Sequence, residues 1–170
     1  NFAKKLVKDT KNLMGGGVLA TIQAKEVYEA TGIKPFKGIL NIPGQLDNRN
    51  QLIIDNLPLD YSILDEIEYK YPMNNAYYGY TTRGCIRKCP FCAVPKLEPV
   101  YNSYIPLRER IEETRKQYGD QKDLILMDNN ILASSEFDTI INDFVACGFG
   151  KDAIFIQPDL IAYTIAHLRS

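Results

Sequence analysis

The rhythm of apolar and polar positions changes near residue 75. Before it the pattern is broken. Residues 1–11 alternate lysines with apolar side chains and read as a piece of basic helix. A short strand is predicted from Asn12 into the glycines Gly15, Gly16 and Gly17, continued by residues 18–22. A helix over about residues 23–31 is expected to stop at Gly32, because glycine takes up the left-handed cap conformation without a steric penalty. Residues 34–60 carry Pro35, Gly38, Pro43, Gly44 and Pro58 around a polar cluster from Gln45 to Asn50. That is turn and connector chemistry. A domain boundary is expected between Asn56 and Pro72, which divides the chain into residues 1–70 and 71–170.

From Asn75 onward, strand and helix patterns alternate. Residues 76–81 hold β-favouring tyrosines and predict a strand. Residues 107–118 predict a helix, with Pro106 suited to its first turn, Leu107 and Ile111 on one face, and Gly119 at its end. The apolar run 123–127 reads as a buried strand. Phe137, Ile140, Ile141, Phe144 and Val145 then follow helical spacing. Ser135 and Asp138 offer a capping-box-like start to this helix, and Gly148 closes it. Residues 153–157 predict a third strand and residues 160–168 a third helix. Strands separated by helices of this size imply right-handed crossovers and a parallel sheet. The expected class is α/β, with chemistry at the carboxyl ends of the strands.

Composition narrows the function. The chain has 170 residues with 20 Lys+Arg against 21 Asp+Glu, so its near-neutral charge provides no direct nucleic-acid signal. No apolar run approaches the roughly 20 residues of a membrane span, and no secretory signal is visible. Of the 11 tyrosines, most fall between Tyr61 and Tyr104, where strand and interface packing is the expected reason.

Cysteine placement is the most informative feature. Cys85, Cys89 and Cys92 fall together on one stretch, whereas Cys147 stands apart. A disulfide scaffold would spread its cysteines to close long loops. Crowded thiols point instead to a reducing, cytoplasmic setting and a metal site. The spacing C-x3-C-x2-C can wrap three corners of a cubane iron–sulfur cluster. Structural zinc and electron-transfer clusters generally take four protein ligands. Three ligands leave one metal position open, as a catalytic centre requires. Cys147, predicted at a helix end, reads as structural. The basic residues Arg83, Arg87, Lys88 and Lys96 around the triplet are expected to form a solvated rim whose charge favours an anionic cluster.

The stretch Tyr80-Thr81-Thr82-Arg83-Gly84-Cys85, with Cys89, Phe91 and Cys92 after it, resembles the radical S-adenosylmethionine (radical SAM) superfamily. Thr82-Arg83-Gly84-Cys85 and Phe91-Cys92-Ala93-Val94-Pro95 resemble the subgroup with an N-terminal cobalamin-binding-type domain. The resemblance implies the C-terminal part of a flavodoxin-like cobalamin-binding-type domain, followed by the first half of a parallel (β/α) partial TIM barrel. It implies a 4Fe–4S cluster on Cys85, Cys89 and Cys92. In that family S-adenosylmethionine (SAM) chelates the fourth iron, and reductive cleavage gives a 5′-deoxyadenosyl radical that acts on substrate. Phe91 matches the aromatic near the adenine. Asp128, Asn129 and Asn130 occupy the place of the SAM amino-group motif, departing from G-G-E to D-N-N. Gln157-Pro158-Asp159 resembles a Q-G-x-D segment, with Pro158 in place of glycine.

Residues 14–21, glycine-rich and followed by a helix, resemble the last strand and helix of a cobalamin-binding-type domain. The D-x-H-x-x-G signature that supplies the lower cobalt ligand is absent, since the single histidine is His167. Either that signature lies upstream of Asn1 or the domain has lost cobalamin; nothing within this chain supports cobalamin as a cofactor. The expected partners are a substrate of unknown kind and a reductant such as flavodoxin or ferredoxin. The alternative from another class is a non-catalytic iron–sulfur electron-transfer or zinc-stabilised structural module. The resemblance also implies a cut through two domains of a longer protein, without a complete substrate site.

Overall fold

The computed structural model describes residues 5–6, 10, 13–49, 51–71, 73–150, 154–156 and 165–169. For the last two stretches it describes the backbone alone. The chain is mixed α/β and falls into two compact units. One comprises Asn1–Asp55 and Arg87–Val100, the other Asn56–Ile86 and Tyr101–Ser170.

In the first unit, α1 (Val18–Ile22) and α2 (Ala24–Thr31) follow one another across Gln23. The strand expected over residues 18–22 is therefore a helix. A five-residue apolar run has too little length for periodicity to separate the two. Here Gly17, at φ 93°, turns the chain. Its carbonyl then accepts the Thr21 N–H (3.0 Å) and the Thr21 hydroxyl (2.9 Å). The Thr21 Oγ1 in turn accepts the Gly38 N–H at 3.0 Å. Gly32 ends α2 in the left-handed conformation, as expected, with its N–H on the Tyr28 carbonyl at 2.7 Å. Helix α3 (Val94–Leu97) packs against α1. Ala20 is the only buried apolar residue of this unit among the described residues.

The second unit holds the core. Strand β1 (Ala76–Gly79) pairs in parallel with β2 (Asp123–Leu126), and helix α4 (Arg108–Tyr118) lies between them in the chain. Helix α5 (Phe137–Ala146) follows β2. Tyr77, Leu107, Ile111, Leu124, Leu126, Ile140 and Phe144 form one buried cluster. The predicted face of α5 is mostly borne out: Ile140 and Phe144 are buried and Phe137 and Ile141 pack against the cluster. Val145 is 62 % exposed and lies off that face. No Ser135 cap forms at its start. The Ser134 hydroxyl accepts the Glu136 N–H at 3.0 Å and donates to the Ser103 carbonyl at 2.5 Å.

The sheet continues differently from a parallel series. Its order is β1-β2-β4-β3, with β3 (Ile154–Ile156) and β4 (Ile165–Arg169) antiparallel to each other. Strand β4 also runs antiparallel to β2, with Leu124 opposite Leu168 and Ile125 opposite His167. The helix expected over residues 160–168 is thus a strand from Ile165, and His167 is a strand residue. The edge of β2, where a third parallel strand was expected, is paired by β4 instead, and β3 pairs with β4 in turn. Gln157, Pro158 and Asp159 lie outside the described residues.

Candidate metal centre

The loop after β1 is set by the register of the parallel pair. Ala76 opposes Asp123 and Gly79 opposes Leu126. The Met127 N–H bonds the Gly79 carbonyl at 2.9 Å, so the ladder runs on past both strands. Two residues further, Thr81 lies alongside Asp128. Asp128 is 0 % exposed. Its Oδ1 accepts the Thr81 N–H (3.0 Å), the Thr81 hydroxyl (2.9 Å), the Thr82 N–H (2.5 Å) and the Thr82 hydroxyl (2.6 Å). Burial pushes the Asp128 carboxyl above its usual value, against the opposing pull of those bonds from Thr82 and Thr81.

The other side of the loop is braced by residues 101–105. Arg83 and Asn102 exchange backbone hydrogen bonds of 3.0 and 2.9 Å, and the Ile105 N–H donates to the Thr81 carbonyl at 2.7 Å. The Arg83 guanidinium stacks 3.7 Å from the Tyr80 ring centroid. Arg83 is thus half-buried, whereas Arg87, Lys88 and Lys96 are exposed. Gly84 then takes φ 69°, a conformation that side-chain-bearing residues rarely adopt, and delivers Cys85 half-buried. Tyr101 belongs to the segment that braces this loop, and burial foremost raises its hydroxyl above the usual value. The Tyr101 Oη is buried and has no hydrogen-bond partner among the described residues.

Cys89 and Cys92 belong to the first unit. The Cys92 N–H donates to the Cys89 carbonyl at 3.0 Å. That bond closes a tight turn, with Pro90 at the position where its fixed φ is favoured. Both thiols are half-buried, and Phe91 at the tip is 91 % exposed. All four cysteines are free. Cys147 caps the end of α5 and packs against the core, where burial raises its thiol above the usual value. This is the structural position expected of it.

Among the described residues, no three His, Cys, Asp or Glu side chains are grouped to hold a metal ion. The three cysteines of the expected set are present as free thiols, but the described side chains do not form a metal-binding group. The Tyr101 hydroxyl is a buried donor left without a partner among the described residues. Asn129 and Asn130 are half-buried at the carboxyl end of β2, and Gln157 is outside the described residues. Sequence reading missed Thr81, Thr82, Asn102 and Tyr101. The signal for the first two was a pair of hydroxyl residues and an acid, Thr81 and Asp128 each standing two residues past the end of its strand.

No family model, curated protein or solved structure matches the chain.

Proposed function

We propose that the chain is part of a radical SAM enzyme, in which Cys85, Cys89 and Cys92 hold a 4Fe–4S cluster. The observation that carries this reading is three free, half-buried cysteines spaced C-x3-C-x2-C on a loop that leaves the carboxyl end of β1. When bound, the cluster supplies the electron that cleaves SAM reductively. The chain's own residues position it. Asp128 acts as a positioning residue, holding Thr81 and Thr82 so that Gly84 presents Cys85. Of the expected SAM set, Phe91, Asn129 and Asn130 retain side-chain surface with which to meet SAM, and Gln157 is kept in it from the sequence. Asp128, fully buried against Thr81 and Thr82, serves it by positioning rather than by contact.

In this reading the finer fold is the first half of a partial (β/α) barrel, preceded by the end of a cobalamin-binding-type domain. The setting is cytoplasmic, the reductant is a flavodoxin or ferredoxin, and the isolated chain does not turn over substrate. No helix among the described residues is long and apolar enough to cross a membrane.

The test is anaerobic reconstitution with iron and sulfide, followed by SAM and a chemical reductant. Formation of 5′-deoxyadenosine by mass spectrometry is the expected result. A cluster that forms but leaves SAM intact marks an electron-transfer module. One equivalent of zinc without visible absorption marks a structural one.

A further inference from the structure

A cleft lies along the exposed edge of β1, toward the end opposite the loop that carries Cys85. Strand β1 is the outer strand of the sheet, and part of its free edge is closed by a side chain, the Tyr61 Oη accepting the Tyr78 N–H at 2.9 Å. The cleft has two lobes of about 470 and 350 Å³, which share Tyr61, Leu64, Ile67 and Tyr71 among their walls. Each falls within the range of roughly 300–1,000 Å³ that small-molecule sites occupy.

The larger lobe is walled chiefly by aromatic and aliphatic side chains and the smaller by more polar ones. Much of the shared apolar surface stands in water: Ile67 is 42 % and Tyr71 47 % exposed. The rings are held in place. Tyr61 packs on Tyr118 with centroids 5.4 Å apart, and Tyr71 meets Tyr69 edge-on at 5.0 Å. Asp60, an exposed residue, also lines the larger lobe. Among the described residues, the hydrogen bonds that Asp60 receives fall on Oδ1, from the Ser62 N–H (3.0 Å), the Ser62 hydroxyl (2.5 Å) and the Tyr118 hydroxyl (3.1 Å). Those bonds, the Ser62 hydroxyl foremost, hold the Asp60 carboxyl below the usual range and therefore ionised. Asp65 and Glu68 line the smaller lobe, where Lys70 is the one basic residue among those described.

A fixed carboxylate among tyrosine faces, with further acids around it, repels anions and attracts cations. The aliphatic walls require an apolar body as well. We propose that this cleft binds an organic cation, an ammonium or quaternary-ammonium head on an apolar body, with the head between Asp60 and the tyrosine rings and the body against Leu64 and Ile67. The site is independent of the cysteine loop.

The test is a titration of the 170-residue chain with benzyltrimethylammonium, with benzyl alcohol as the uncharged control. Binding is read from tyrosine fluorescence, which the absence of tryptophan leaves unmasked, and from NMR shifts. Saturable binding is expected, with the cation roughly tenfold tighter than the alcohol. Asp60→Asn keeps a carbonyl oxygen for Ser62 and Tyr118 and is expected to weaken the cation roughly tenfold. Tyr71→Leu keeps apolar bulk without a π face and is expected to weaken it about fivefold. Circular dichroism checks each variant's fold, and Tyr71→Leu decides the matter if Asp60→Asn unfolds. Absence of saturable binding, equal affinity for benzyl alcohol, or unchanged affinity in the folded variants overturns the proposal.

Discussion

Asp128 carries more hydrogen bonds to one oxygen than any other described side chain, and every donor comes from Thr81 or Thr82. Replacing it with alanine strands two buried N–H groups. Asp128→Ala is therefore expected to lower stability by about 2–4 kcal/mol in urea unfolding. Its pH dependence has a definite sign. The folded carboxyl titrates above its usual value of 3.8 because burial outweighs the threonine bonds. The native state thus holds a proton that the unfolded chain has released, and Asp128's contribution to stability falls as pH rises through that window. The advantage of wild type over Asp128→Asn is accordingly expected to be larger in acid than at neutral pH. An advantage that grows with pH would mean that the hydrogen bonds prevail over burial. Tyr101 gives a second test at this scale. Its buried hydroxyl has no partner among the described residues, and in the proposed reading it is free to donate to a cluster held by Cys85, where hydrogen bonds to sulfur raise the potential. In reconstituted protein, Tyr101→Phe is expected to lower the reduction potential measured by voltammetry.

The elements that position the loop depend on two glycines for different reasons. A Cβ at Gly79 would run into Leu107 Cδ1, and Leu107 belongs to the buried cluster. Gly79→Ala is expected to lower stability by about 1–3 kcal/mol through overpacking. Gly84→Ala strains a backbone at φ 69°, an effect of about 1–2 kcal/mol. Because it acts next to Cys85, its signature is reduced iron uptake on reconstitution as well as a lower urea midpoint. Elements of this kind were legible where period and punctuation agree. Leu107 and Ile111 one turn apart, with Gly119 behind them, marked α4, and the apolar run into Leu126 marked β2. They were not legible where a segment is short. Residues 18–22 became a helix because Gly17 turns the chain and the Thr21 hydroxyl secures the first turn. Residues 165–169 became a strand because the edge of β2 was open to pair with them. The Asp128–threonine network needed the register of β1 on β2, which no single segment encodes.

At the scale of the whole chain the two units differ in what holds them. The second has a buried cluster running from Tyr77 to Phe149, whereas the first buries one apolar residue, Ala20, among those described. Met14, Val18 and Leu19 in that unit stand about 60 % exposed. Few buried contacts mean low local stability against opening. Limited proteolysis is therefore expected to cut within residues 13–49 well before residues 104–149, with the fragments read by mass spectrometry. The cysteine triplet stands out by its spacing, and the structure shows its three thiols free. What its chemistry serves is a claim about the bound group, and metal content tests that claim most directly. After anaerobic reconstitution, the account predicts about four iron and four acid-labile sulfide per chain. It predicts their loss in Cys85→Ala, Cys89→Ala and Cys92→Ala, and their retention in Cys147→Ala. Iron unchanged in Cys89→Ala, or zinc in place of iron, would contradict it.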